Sequence, residues 1–336
     1  MYIITIDTGT SNTRVKLWNG GKVAAASFVG TGVRDTAISG SKTKLQQGVR
    51  DAISMVLEQK NLKASNVDLF LASGMITSNV GLFEVPHVCA PAGVKELAEH
   101  MVSARIDEVV EKPIWFVPGV KNTLKNIDLG NCEEMDMMRG EEAETFGILE
   151  GLKLEASAVV ILPGSHTKFV SLNRDKRITG CITTLAGELL SVLTNNTILA
   201  SALDNSFAEK ADEELILAGA RYSREVGLNR TCFTVRILEQ FTGYPADARA
   251  NFLLGAVLEN DIFSLKNSRA LNFDSGQAVI IGGSKILKRA FEILVKNDGC
   301  FTGAIHVVED EAMKDMAGLG SIAIAKARGL LRREQQ

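Results

Sequence analysis

A β-branched run, Ile3-Ile4-Thr5-Ile6, carries one carboxylate, Asp7, into the turn Thr8-Gly9-Thr10-Ser11-Asn12-Thr13-Arg14, and an alternating run, Val15-Lys16-Leu17-Trp18, leaves it. The spacing predicts a hairpin with a polar tip, extended by a third strand over Val23 to Val29. The same order returns from Ala158. There Ala158-Val159-Val160-Ile161-Leu162 leads into the turn Pro163-Gly164-Ser165-His166-Thr167-Lys168, Phe169-Val170-Ser171-Leu172 leaves it, and a further turn delivers Ile178 to Thr184. Strand, polar glycine turn, strand, turn, strand, met twice, predicts a duplicated lobe. With 336 residues, 46% of them hydrophobic, the chain can bury a core in each copy.

Between and after the hairpins, helices alternate with short apolar strands, which is the signature of an α/β fold. Ser41 to Gln59 places Leu45, Val49, Ala52, Ile53 and Val56 at helical spacing, and Val67 to Ala72 is a buried strand ending at Ser73-Gly74-Met75. A long loop from Ile76 to Gly93, with two prolines, reads as a binding wall. Helices are expected at Gly93 to Ala104, from Arg139, at Thr184 to Leu203 and at Asp315 to Leu331, with strands at Pro113 to Val117, Gln277 to Ile281 and Ile305 to Val308. The lobes divide as residues 1–150 and 151–336, the last helix packing back on the first lobe.

A formal charge of −3 disfavours a nucleic-acid surface, and no apolar run reaches membrane-spanning length, so neither nucleic acid nor membrane is an expected partner. Five scattered cysteines without Cys-x-x-Cys read as reduced thiols of a cytoplasmic protein, and the four histidines lack metal-ligand spacing. A small soluble ligand is the expected partner, with assembly into a homo-oligomer left open.

The first turn can cradle phosphate. Backbone N–H groups at Gly9 approach phosphoryl oxygens closely, Thr10, Ser11 and Asn12 add donors, and Asp7 can hold a hydrated divalent cation. The same residues also suit an ordinary hairpin whose side chains satisfy their own backbone.

Taken together, Asp7-Thr8-Gly9-Thr10, Leu162-Pro163-Gly164-Ser165-His166-Thr167-Lys168 and Ile281-Gly282-Gly283-Ser284 resemble the first phosphate loop, second phosphate loop and adenosine turn of the superfamily of actin and the sugar kinases. That resemblance implies two ribonuclease-H-like lobes with ATP in the cleft between them. Ser73-Gly74-Met75-Ile76, Met138-Arg139-Gly140-Glu141-Glu142 and Thr184-Leu185-Ala186-Gly187-Glu188 narrow it, and the whole chain is similar to the 2-dehydro-3-deoxygalactonokinase family. Membership would imply phosphorylation of the terminal hydroxyl of a 2-keto-3-deoxy sugar acid with ATP and Mg2+. The family often has Trp where Thr8 stands, and the superfamily often places an acid in the second phosphate loop, where this chain has none.

On this reading Glu141 orients or deprotonates the attacking hydroxyl, and Asp7 anchors the metal. Gly9, Thr10, Ser11, Asn12, Gly164, Ser165, His166, Thr167, Lys168, Gly282 and Gly283 meet the nucleotide, and Arg139, Gly74, Met75 and Glu188 meet the sugar acid. Each has a plainer alternative. Glu141 and Glu142 suit a helix N-terminus, Arg139 can pair with Glu142 or Glu144, Lys168 can flank a hairpin in solvent, and Met75 can be core. Two other functions share these motifs: an exopolyphosphatase-type phosphohydrolase, which also uses Gly-Glu-Glu-Ala, and a non-enzymatic nucleotide-binding regulator.

Overall fold

The computed structural model describes residues 1–152, 154–283 and 285–331, so that Ser284 of the glycine turn lies outside it. The first lobe contains β1 (Tyr2–Thr8), β2 (Thr13–Asn19), β3 (Lys22–Val29), β4 (Leu69–Gly74), β5 (Val88–Cys89), β6 (Val102–Ile106), β7 (Val110–Phe116), β8 (Val120–Lys121) and β9 (Met137–Met138). The second contains β10 (Ala158–Leu162), β11 (Thr167–Leu172), β12 (Ile178–Thr184), β13 (Ala278–Ile281) and β14 (Ile305–Val307). The sheets run β3-β2-β1-β4-β7-β6 and β12-β11-β10-β13-β14. In each, two antiparallel hairpin pairings are followed by two parallel ones, so the ribonuclease-H-like order occurs twice.

Burial on both faces follows from the alternation of side chains along the strands. In the first sheet Ile4, Ile6, Phe70 and Ala72 face the amphipathic helix Thr43–Glu58. Ile3, Trp18, Leu69 and Leu71 face the other way, into a core that also takes Phe146, Met316 and Ile324. In the second sheet Val159, Ile161, Phe169 and Val279 face the helices of their own lobe, whereas Val160, Leu162, Val170 and Ile280 enter the core shared with the first.

The helix expected over Gly93 to Ala104 stops at His100, and Val102-Ser103-Ala104-Arg105-Ile106 becomes edge strand β6, because its period of two fits pairing with β7. The helix expected to reach Leu203 ends at Asn195, where Asn195 and Thr197 side chains donate to the carbonyls of Ser191 and Leu193. A short helix, Val33–Ser39, was not signalled by periodicity.

The segment 76–138 is a wall with a small sheet, β5-β8-β9, inside it. It reaches the second lobe at the edge of β12. Ala92 and Ile178 exchange two backbone hydrogen bonds, and Asn122 bonds both the N–H and the carbonyl of Cys181. At the far end of the second sheet, the return segment brings Asp315 and the Lys314 carbonyl to Lys16 of β2.

The helices Glu141–Gly151 and Met316–Ala327 pack backbone to backbone. A Cβ on Gly320 would fall on the Ala143 carbonyl oxygen and one on Gly147 on that of Met316, far inside contact distance. Gly320→Ala should therefore destabilise the protein by about 1–3 kcal/mol, the usual cost of overpacking. Gly151→Ala, at a helix end with open space around it, should be neutral or stabilising by up to about 1 kcal/mol. Denaturant melts of the two variants check both.

Candidate active site

The first loop is rigid by construction. Gly9 N–H donates to the Asn12 carbonyl at 2.9 Å, and the carbonyls of Gly9 and Thr10 accept the first N–H groups of the helix Val33–Ser39. Thr8 and Thr13 hydroxyls meet at 3.1 Å beneath it. Thr10 and Ser11 are exposed at the tip, and Asp7 points from the end of β1, paired to Arg14 at 3.2 Å.

Two glycines bring Asp7 and the Glu141 helix together. Gly74 closes β4 at φ +86°, and a Cβ there would lie 2.6 Å from the Thr8 carbonyl oxygen and 3.0 Å from Asp7 Oδ1. Gly140 at φ +111° caps the helix, and its Cβ would lie 3.2 Å from the Gly74 Cα. Met75, one residue on, packs against the first lobe's core.

The adjacent glutamates separate here. Glu142 is completely buried, and both its oxygens accept the N–H of the capping Gly140 at 2.9 Å, which fixes the start of the helix. Glu141 is part-exposed and accepts the Arg139 N–H at 3.1 Å. Burial pushes its pKa up, Lys168 pulls it down and Asp7 adds to the rise. Glu144, one turn further and on the same side, is raised to about 8 by burial and by the charges of Asp7 and Glu141. Asp7 is raised by burial against the pull of Arg14. Three acids thus share one corner with Arg14 and Lys168 as the neighbouring cations. Helical spacing from Glu141 is the signal that could have marked Glu144 in the sequence.

Arg139 pairs with neither Glu142 nor Glu144 among the described residues. Its guanidinium donates to the Thr77 hydroxyl and the Val85 carbonyl, each at 2.8 Å, and lies 3.4 Å from His87 Nδ1, fastening the long loop to the helix entry. His87, which spacing did not single out, is held near pKa 4 by burial and by Arg139 and Lys121, and is therefore neutral.

In the second loop the structure departs from expectation at two positions. Lys168 neither flanks the hairpin in solvent nor points along the loop. Its side chain is 6% exposed and its ammonium binds the Met137 carbonyl at 2.8 Å, the Thr183 hydroxyl and, at 3.8 Å, Asp136. Alternation explains this, since Lys168 shares the face of Val170 and Leu172, turned toward the first lobe. Thr167 takes the opposite face, and its hydroxyl is buried without a partner. Gly164, Ser165 and His166 remain at the tip.

The tip is held by the helix Ala186–Asn195. Glu188 N–H donates to the Ser165 carbonyl at 2.9 Å, a Cβ on Gly187 would fall on the Gly164 carbonyl oxygen, and the Glu188 side chain meets His166 Nε2 at 3.1 Å. On the other side Gly283, at φ +81°, has no room for a Cβ beside the Pro163 oxygen at 2.5 Å, and Gly282 N–H donates to the Ile161 carbonyl at 2.9 Å. Next to these turns opens a cavity of about 390 Å³ lined by Gly164, Ser165, Asn195, Asn205, Phe207 and Leu287.

A family model described as 2-keto-3-deoxy-galactonokinase matches residues 7–319. The chain is 25% identical over 332 residues to the 2-dehydro-3-deoxygalactonokinase of Escherichia coli K12, covering 96% of this chain and 98% of that protein. It is 27% identical over 331 residues to a Rhizobium meliloti (strain 1021) protein to which the same activity is ascribed, covering 96% and 97%. Among solved structures, a Sinorhizobium meliloti protein of the same ascribed activity is similar in fold, with a TM-score of 0.74 and 24% identity over 97% of this chain and 99% of that one.

Two outcomes follow from the corner of acids. Gly74→Ala should collapse turnover, because its Cβ would displace Asp7, while Gly20→Ala, in a turn with open space, should leave turnover intact. A carboxyl whose pKa folding raises from 4.5 to about 8, such as Glu144, costs nothing below pH 4.5 and destabilises increasingly toward pH 8, since the unfolded chain loses its proton first. Glu144→Gln should accordingly raise the melting temperature at pH 8 and leave it unchanged at about pH 4.5. Calorimetry at the two pH values checks the sign.

Proposed function

Since the chain belongs to the 2-keto-3-deoxy-galactonokinase family, we propose that it transfers the γ-phosphoryl group of ATP to the terminal hydroxyl of 2-dehydro-3-deoxy-D-galactonate, giving the 6-phosphate. The observation that carries this reading is the approach of Asp7, at the end of the first hairpin's strand, and Lys168, from the second hairpin, to a glutamate at the mouth of the helix Glu141–Gly151. Phosphoryl transfer asks a protein for position and charge rather than covalent chemistry.

Thr10 to Asn12 and Gly164 to His166 supply N–H and hydroxyl donors for the phosphates, Gly9 serving by its missing Cβ since its N–H is held by the Asn12 carbonyl, and His166 acts with its partner Glu188. The 390 Å³ cavity beside Gly164 and Ser165 is of a size for an adenosine, with Phe207 and Leu287 as apolar walls and Asn195 and Asn205 as polar edges. Arg139, steadied by Thr77 and Val85, has N–H groups to spare for the substrate carboxylate, beside the wall that includes Met75. Glu141 accepts the proton of the attacking hydroxyl, its basicity raised by burial.

Mg2+ suits this corner, where three acids outnumber their cationic partners. Among the described residues no three His, Cys, Asp or Glu side chains close on one point, so Asp7 would hold the ion with water and phosphate oxygens completing its shell. Bound there, it would neutralise charge on the transferred group. The chain would work in the cytoplasm, where ATP is found and its cysteines, all free, stay reduced. No helix among the described residues is long and apolar enough to cross a membrane.

The test is ADP release from ATP and Mg2+ with 2-keto-3-deoxygalactonate, its gluconate epimer, polyphosphate and no acceptor. Stimulation by the galactonate compound is expected. Equal release with every acceptor would sink the kinase, and consumption of polyphosphate would put a phosphohydrolase in its place. Glu141→Gln should lower kcat by about 10²-fold or more with KM little changed, and Asp7→Asn should in addition raise the Mg2+ concentration needed.

A further inference from the structure

The helix Ala246–Asn267 crosses behind the second sheet, buried along most of its length. Its polar side chains are largely engaged: Asn251 bonds Asp212 N–H and the Lys210 carbonyl, Glu259 binds Arg224 at 2.6 Å, and Lys266 binds Asp298 at 2.7 Å. Asp261 is different. It is 4% exposed, and its Oδ2 is buried without a partner.

The groups that act on that carboxylate are the hydroxyls of Thr167 and Thr184, which stand opposite each other in register across β11 and β12. Both flank it outside ordinary hydrogen-bond geometry, and both are themselves buried and unpartnered. Burial holds the Asp261 carboxyl up at about 6, and only the two hydroxyls counter it. An acid and two alcohols kept unpaired in an aliphatic core cost free energy, which calls for a reason.

Position in the chain supplies one. Thr167 ends the second phosphate loop. Thr184 leads into the helix Ala186–Asn195, whose first turn holds Gly164 and Ser165. Both sides of the loop's clamp therefore meet on one carboxylate.

We infer that Asp261 is a positioning residue for phosphate binding: by engaging Thr167 and Thr184 together, it fixes the Gly164 to His166 loop and the start of the helix Ala186–Asn195 as one unit. It supplies from beneath the acid that the loop itself lacks. The inference rests on the nucleotide reading of that loop given above.

Kinetics of the full chain with ATP and the sugar acid test it. Asp261→Asn should raise KM for ATP about tenfold with KM for the sugar acid within about twofold, and Asp261→Glu should restore most of the loss. Thr167→Val and Thr184→Val should each share the defect for ATP. Wild-type KM values for ATP in Asp261→Asn would overturn the inference. Should that variant not fold, the two threonine variants decide: an ATP defect supports it, and its absence in both refutes it. Should the wild type phosphorylate no sugar acid, the activity reading falls separately, and calorimetry with ADP takes over, with about tenfold weaker binding by Asp261→Asn expected and equal binding refuting.

Discussion

The approach of two glycine backbones sets the geometry on which the site depends. Gly74 ends β4 and Gly140 opens the helix Glu141–Gly151, both at positive φ that side chains disfavour. With no Cβ between them, strand end and helix start come into direct contact. Asp7 lies against one and Glu141 follows the other, so a carboxylate from the first hairpin and one from the crossing helix share a small volume without being neighbours in sequence. Gly320 and Gly147 repeat the device further along, where they let the returning helix press on the first and hold it to the lobe.

Electrostatics then divides roles among acids that look equivalent on paper. Glu142 turns inward and spends both oxygens on the Gly140 N–H, so its work is to start a helix. Glu141 and Glu144 turn toward Asp7, where burial and like charge favour the protonated forms. Lys168 is the cation that the second lobe contributes to this corner, and its ties to Asp136 and Met137 mean that it also joins the lobes. A corner of this kind gains most when positive charge or a proton arrives, which is what phosphoryl transfer to a hydroxyl provides.

Much of this was legible in the chain. The two hairpins, their glycine tips and the buried strands announced themselves by period and turn chemistry, and the duplicated order led to the right topology. What stayed hidden was direction. Nothing local says that Lys168 and Thr167, adjacent in the loop, point to opposite faces of the sheet, although alternation decides it once the strand is placed. Arg139 could not be seen fastening Thr77 and Val85, because those partners lie far back in the chain. Asp261 is the extreme case: the last of three polar residues, Glu259-Asn260-Asp261, in a long helix, some ninety residues from the loop beneath which it sits, it carries no local signal at all. Strand β6 was missed for a different reason, a helix-forming stretch continuing without a break into one of period two.

The second lobe is tied to the first at both ends of its sheet. At the β12 edge, Ala92 and Asn122 finish the strand, and at the other end the return segment places Asp315 against Lys16. A line through two such ties is an axis. Relative rotation that keeps both must turn about it, as jaws turn on a pin, so displacement grows with distance from that line. Lys168, bonded to the Met137 carbonyl, is a third tie across the same seam, and it limits how far such a turn can go before a bond must break.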